Sequence, residues 1–183
     1  MSAPDYPAAV TGYAPSFWAL GYLHEEISRL DDMAATLKAR LPADIGRSGM
    51  LAALNRYLFD ELGFKGNQAD YYDPRNSFLN DVIERKLGIP ITLSVVYIEI
   101  GKRMGLPLQG VSFPGHFLVK CAMRDGTVVI DPYAGGTSLG IKDLQARLRT
   151  LSGGRDMPPE AVMSMLAASS APESHSPSPA RHP

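Results

Sequence analysis

The chain has 183 residues, 45% of them apolar and 20% charged, a formal net charge of -1 and one cysteine, Cys121. These figures describe a globular chain able to bury a sizeable core, and they argue against nucleic acid or a membrane surface as a partner. A single thiol excludes an internal disulfide and a cysteine-rich metal site, and it suits a reducing, cytoplasmic setting. The first fourteen residues have no basic segment followed by a long apolar one, so no signal peptide is expected. The apolar run from Ile89 to Ile100 is too short to span a bilayer.

Leu20, Leu23, Ile27, Leu30, Ala34, Leu37 and Leu41 recur at spacings of three and four, which predicts a helix whose apolar stripe docks on its own domain. Ser48 opens a second helix through Leu51, Leu54, Leu58 and Leu62, with Gly63 as its C-terminal cap. The polar segment from Lys65 to Arg75, with Tyr71 and Tyr72, reads as a loop. Asn76 or Ser77 then caps a third helix with Phe78, Leu79, Val82, Ile83 and Leu87 on one face, ended by Gly88.

Pro90 suits the first turn of a fourth helix, where a missing N–H is no loss. The run Val95 to Ile100 has the propensity of a strand. Its length, the initiating Pro90 and the terminal Gly105-Leu106-Pro107 favour a buried helix, with Gly101 permitting close packing. Leu108 to Ser112, His116 to Ala122 and Thr127 to Ile130 are predicted strands, and Ile141 to Leu151 a last short helix. From Gly153 the composition turns to Gly, Pro, Ser and Ala. The expected organisation is a domain over residues 15–152 and a disordered tail over 153–183.

A hairpin turn over Met123 to Gly126 pairs Ala122 with Thr127 and sets Asp131 opposite Leu118. His116 lies two residues from Leu118, so His116 and Asp131 share a face as diagonal neighbours, roughly 7–8 Å apart at Cα. An aspartate so placed can accept from one imidazole nitrogen and orient the ring as a base. Periodicity alone is also satisfied by a structural histidine.

Leu54-Asn55, Leu58-Phe59, Glu61-Leu62-Gly63-Phe64, Gly66-Asn67, Tyr72-Asp73-Pro74, Asn76-Ser77, Gly88-Ile89-Pro90-Ile91-Thr92-Leu93, Phe113-Pro114-Gly115-His116-Phe117 and Ile130-Asp131-Pro132-Tyr133 occur in order between about residues 50 and 140. As a set they resemble the bacterial SirB-type transglutaminase-like family. The resemblance implies an α+β fold with a papain- or transglutaminase-like core, helices packed on a small antiparallel sheet. It implies a cysteine at the start of a buried helix, then a histidine and an aspartate on successive strands. His116 and Asp131 take the last two places, and Pro90 stands where the thiol is expected.

Proline can be neither acid, base nor nucleophile. Cys121 is five residues from His116 and points to the opposite strand face, as a small buried hydrophobe would. Thr92 and Ser94 offer hydroxyls near the helix start, and free N–H groups there could receive a carbonyl oxygen or an anion. SirB-type proteins usually continue into helical repeat-like segments, whereas here the chain is Pro- and Ser-rich after about residue 155.

The first functional reading is therefore a pseudoenzyme, a non-catalytic binding or regulatory module. Its cleft, around Pro90, Thr92 and Ser94, would take a peptide, amide or carboxylate ligand, or a protein partner. The alternative is a hydrolase or acyl transferase using His116 and Asp131 with Thr92, Ser94 or an activated water. No cofactor is expected. Metal hydrolysis lacks ligands, because His24, His175 and His182 lie in unrelated segments.

Overall fold

The computed structural model describes residues 17–168, with side chains from 25 to 167. The N-terminal segment, the side chains of Leu20, Leu23 and His24, and the tail beyond 168 lie outside the described residues. Helix α1 (Phe17–Lys38) buries Leu30, Ala34 and Leu37 at helical spacing. Ile27, predicted on the same stripe, is instead 48% exposed. Helix α2 (Arg47–Asn55) widens into a π-helical turn over Arg56–Glu61 and stops at Gly63, whose φ of +74° is the left-handed conformation predicted for a cap.

The third helix differs from its prediction at both ends. A 3-10 turn over Pro74–Ser77 precedes α3 (Leu79–Arg85), and Phe78 becomes a half-exposed N-cap residue outside the apolar face. The helix ends at Lys86, which adopts the left-handed φ of +60° in place of a glycine. Its ammonium stands 4.5 Å from the centroid of the Phe64 ring, a contact that helps hold this conformation. Leu87 and Gly88 thus leave the helix. They form β2 (Leu87–Gly88), which pairs in parallel with β1 (Lys65–Gly66).

Helix α4 (Pro90–Arg103) begins at the predicted proline and buries nine residues, from Pro90 through Gly101. Burial among α1, α2, α3 and the sheet overrides the strand propensity of its β-branched run. Gly101 is the point of closest approach: a Cβ there would stand 2.2 Å from Leu108 Cδ1 and 3.1 Å from Leu54 Cδ2.

Four strands form an antiparallel meander: β3 (Leu108–Phe113), β4 (His116–Met123), β5 (Gly126–Asp131) and β6 (Thr137–Leu139). Pro114 and Gly115 make the first hairpin turn, and Gly115, at φ +69°, meets the demand of a type II turn for a left-handed third residue. Alternation along the strands divides the core. Leu108, Val119, Cys121 and Ile130 face α4 and the N-terminal helices. Val111, Phe113, Leu118 and Val129 face α5 (Ile141–Leu151) and α6 (Pro159–Ala168). The result is an α+β fold with helices on both faces of a small antiparallel sheet.

Helix α6 corrects the boundary expected at Gly153. Val162 and Leu166 are buried against Leu144 and Leu148, so the packed structure continues to the end of α6. Gly153 and Gly154 are a left-handed turn inside the fold rather than the start of a tail. No helix among the described residues is long and apolar enough to cross a membrane.

The tight approach at Gly101 sets a test of the α4 packing. Gly101→Val is expected to destabilise the domain by about 1–3 kcal/mol despite valine's better helix propensity, because the added methyls overpack Leu108. Urea unfolding monitored by circular dichroism reads the change.

Candidate functional site

The site starts from a register. Ala122 pairs with Thr127 and Met123 with Gly126, as the predicted turn requires, so the start of β4 and the end of β5 lie together. His116 Nε2 is 2.9 Å from Asp131 Oδ1. Asp131 is 1% exposed, and its carboxylate also caps a 3-10 turn over Pro132–Ala134. The backbone N–H groups of Tyr133 and Ala134 donate to Oδ1 at 3.1 and 3.2 Å. On the other oxygen, Arg147 Nη2 from α5 donates to Oδ2 at 2.7 Å.

Burial alone would push the Asp131 carboxyl up, but the hydrogen bonds from His116 and Arg147 outweigh it and hold it below the ordinary carboxylate range. An ionised Asp131 makes His116 Nε2 the protonated donor, which leaves Nδ1 as the nitrogen available for chemistry. The edge-to-face contact with Tyr133, at 5.9 Å between centroids, supports the ring on a second side. Tyr133 in turn meets Tyr71 and covers Gly66, where a Cβ would strike its ring at 2.4 Å.

The helix start proposed to face this pair is occupied otherwise. Pro90 is buried. Thr92 Oγ1 accepts from Ile89 N–H at 3.1 Å and donates to Asn76 C=O at 2.8 Å, closing the first turn of α4 against the preceding loop. Asn76 is itself fully buried. It donates to the carbonyls of Asp70 and Tyr71 and accepts from Asn67 Nδ2 at 3.0 Å. Ser94 has no exposed surface, and its Oγ finds no partner among the described residues. Neither hydroxyl hydrogen-bonds His116. Cys121 lies in the α4-side core, where burial pushes its thiol up, away from reactivity.

The structure therefore joins His116 to Asp131 but routes no hydrogen bond from either to Pro90, Thr92 or Ser94. The hollow that borders His116 lies elsewhere, between the Pro114-Gly115 turn and the last turns of α5. It holds about 250 Å³ and is lined by Pro114, Gly115, His116, Arg147, Thr150 and Leu151. A larger hollow of about 610 Å³, near Arg47 and Arg124, does not include His116. No group of three histidine, cysteine or acidic side chains is placed to hold a metal ion among the described residues.

Arg147 is the site residue that the sequence reading overlooked. A weak signal was available: Ile141, Leu144, Leu148 and Leu151 form an apolar stripe, and Arg147 lies at its edge, beside Leu144 and Leu151. A guanidinium on a docking face demands an acid from the opposing layer. The sheet supplies it in Asp131.

Two outcomes test this geometry. Asp131 and Asp73 both carry depressed carboxyl values, Asp73 down to about 2 under the hydrogen bonds and charge of Arg75, with Arg85 adding to them. Their contributions are fully present above the unfolded value near 3.8 and are lost as pH falls through the folded values. Stability should accordingly fall from about pH 4 downward. Asp131→Asn should flatten that acid limb in a pH series of urea melts, leaving the share of Asp73. Thr92→Val should cost about 1–2 kcal/mol by loss of the cap and the Asn76 hydrogen bond. It should leave the His116–Asp131 hydrogen bond unchanged in imidazole proton spectra.

A family model described as the transglutaminase-like superfamily matches residues 24–171. A UPF0162 protein of Xylella fastidiosa (strain 9a5c) is 51% identical over 116 residues, 63% of this chain and 41% of that protein. A UPF0162 protein of Pseudomonas aeruginosa is 31% identical over 153 residues, 84% of this chain and 51% of its own length. Human F-box only protein 21 is 37% identical over 107 residues, 54% of this chain and 17% of that protein. The chain thus spans about half the length of these relatives or less. No solved structure matches. Since the matched stretch runs from α1 through α6 and holds both His116 and Asp131, the chain belongs to the transglutaminase-like superfamily.

Proposed function

We propose that this domain is a ligand-binding or regulatory module of the SirB-type branch of its superfamily, acting in the cytoplasm without thiol catalysis. The observation that carries the reading is the state of the α4 start. Pro90, which the resemblance puts in the place of the thiol, is buried, Thr92 is committed as a cap, and Ser94 is sealed in the core. A hydroxyl needs a well-placed base, and neither hydroxyl hydrogen-bonds one among the described residues. His116 keeps its orienting aspartate and a side chain 17% exposed, which suits recognition of a peptide, amide or carboxylate.

The same oriented ring favours one second reading, hydrolysis by a water that His116 Nδ1 activates. Profiling wild type and His116→Ala on peptide p-nitroanilides and p-nitrophenyl esters separates the two. The expected result is no turnover above the His116→Ala background. Turnover that disappears with His116 would sink the non-catalytic reading and establish the hydrolase.

A further inference from the structure

The hollow beside His116 has an unusual balance of donors and acceptors. Asp131 lies behind it with its acceptor positions occupied by His116, Tyr133 N–H, Ala134 N–H and Arg147. None of the six lining residues is acidic. The Thr150 hydroxyl donates to Ala146 C=O within α5. Two of the last four carbonyls of α5 are also engaged, Leu148 by Ser152 N–H and Arg149 by Gly154 N–H and the Ser152 hydroxyl.

Arg147 differs. It is a third exposed, and only its Nη2 is used, on Asp131. Its Nε and Nη1 take no hydrogen bond among the described residues, which leaves donors of a rigid fork without a protein partner on a side chain that lines the hollow. Anchored by Asp131, that fork is held in place before any ligand arrives, which lowers the entropic cost of using it. Pro114, Gly115 and Leu151 make the apolar wall, with Leu151 58% exposed. The hollow is small and open to solvent, with room for one short chain end.

We propose that this hollow is a carboxylate-binding subsite anchored by Arg147. The carboxylate accepts from the free guanidinium edge, and a small apolar substituent lies against Pro114 and Leu151. Its source is the C-terminus of a peptide or a glutamate side chain. This deepens the binding-module reading and rests on it.

The test is an NMR titration of the full ¹⁵N-labelled chain with three probes: N-acetyl-L-alanine, its neutral amide, and the α-amide of N-acetyl-L-glutamate. A carboxylate probe should shift the Arg147 Nε–H and His116 ring signals saturably and bind about tenfold more tightly than the neutral amide. Stronger binding of acetylalanine assigns the source to a peptide C-terminus, and stronger binding of the glutamate amide assigns it to an acidic side chain. Arg147→Gln should abolish the preference for the acid. Arg147→Lys keeps a cation beside Asp131 and preserves the fold, and it should weaken the preference by loss of the fork. Equal binding of acid and amide at these residues would overturn the carboxylate subsite while leaving the binding module standing. No saturable shift at His116 or Arg147 with any probe would overturn both.

Discussion

A carboxylate shut away from water must be surrounded by donors, and the site of this domain is organised around that demand at Asp131. Its two oxygens receive an imidazole, two backbone N–H groups and a guanidinium, from β4, the turn after β5, and α5. Removing any one donor would leave part of a buried charge uncompensated, a situation proteins rarely tolerate. One side chain thus joins strand register, turn geometry and helix docking. The orientation of His116 is a consequence of this arrangement.

Helix α4 provides the second constraint. It is buried against three helices and the sheet, and the loop before it is pinned by Asn67, Asn76 and a two-rung parallel ladder. These contacts engage the Ile89 N–H, the Thr92 hydroxyl and the Asn76 carbonyl from within the protein, while Ser94 Oγ is left without a partner among the described residues. Thr92, which the chemistry of the family makes interesting, is one of the groups consumed in doing so. The buried polar network of Tyr97, Asn55 and Gly136 does similar work deeper in the core, joining α4 and α2 to the segment after β5.

The sequence made the His116–Asp131 meeting legible because a strand's period of two is rigid and the turn from Met123 to Gly126 set the register. Pro90 announced α4, and Ile141 and Leu151 marked α5, since each end has a local chemical signal. The rest was hidden for specific reasons. The β1–β2 ladder is two residues long, too short for any periodicity, and Lys86 adopts a backbone conformation more common for glycine. Helix α6 sits after a Pro- and Gly-rich turn whose composition masks the Val162 and Leu166 face. Arg147 left only a weak mark, a charge at the edge of the α5 stripe, and its pairing with Asp131 joins elements that the sequence does not set side by side.

The sheet acts as a partition. Val119, Cys121 and Ile130 belong to the core on the α4 side, while Leu118 and Val129 belong to the core beneath α5 and α6. The two clusters share strands but no side chains. Losses of packing on opposite sides should therefore add as independent free energies rather than compensate one another. Arg147 and the hollow rest on the smaller cluster. The rigidity of the site is thus set on one side by Leu144, Leu148, Val162 and Leu166, and on the other by Tyr133, which supports His116 and packs on the larger core.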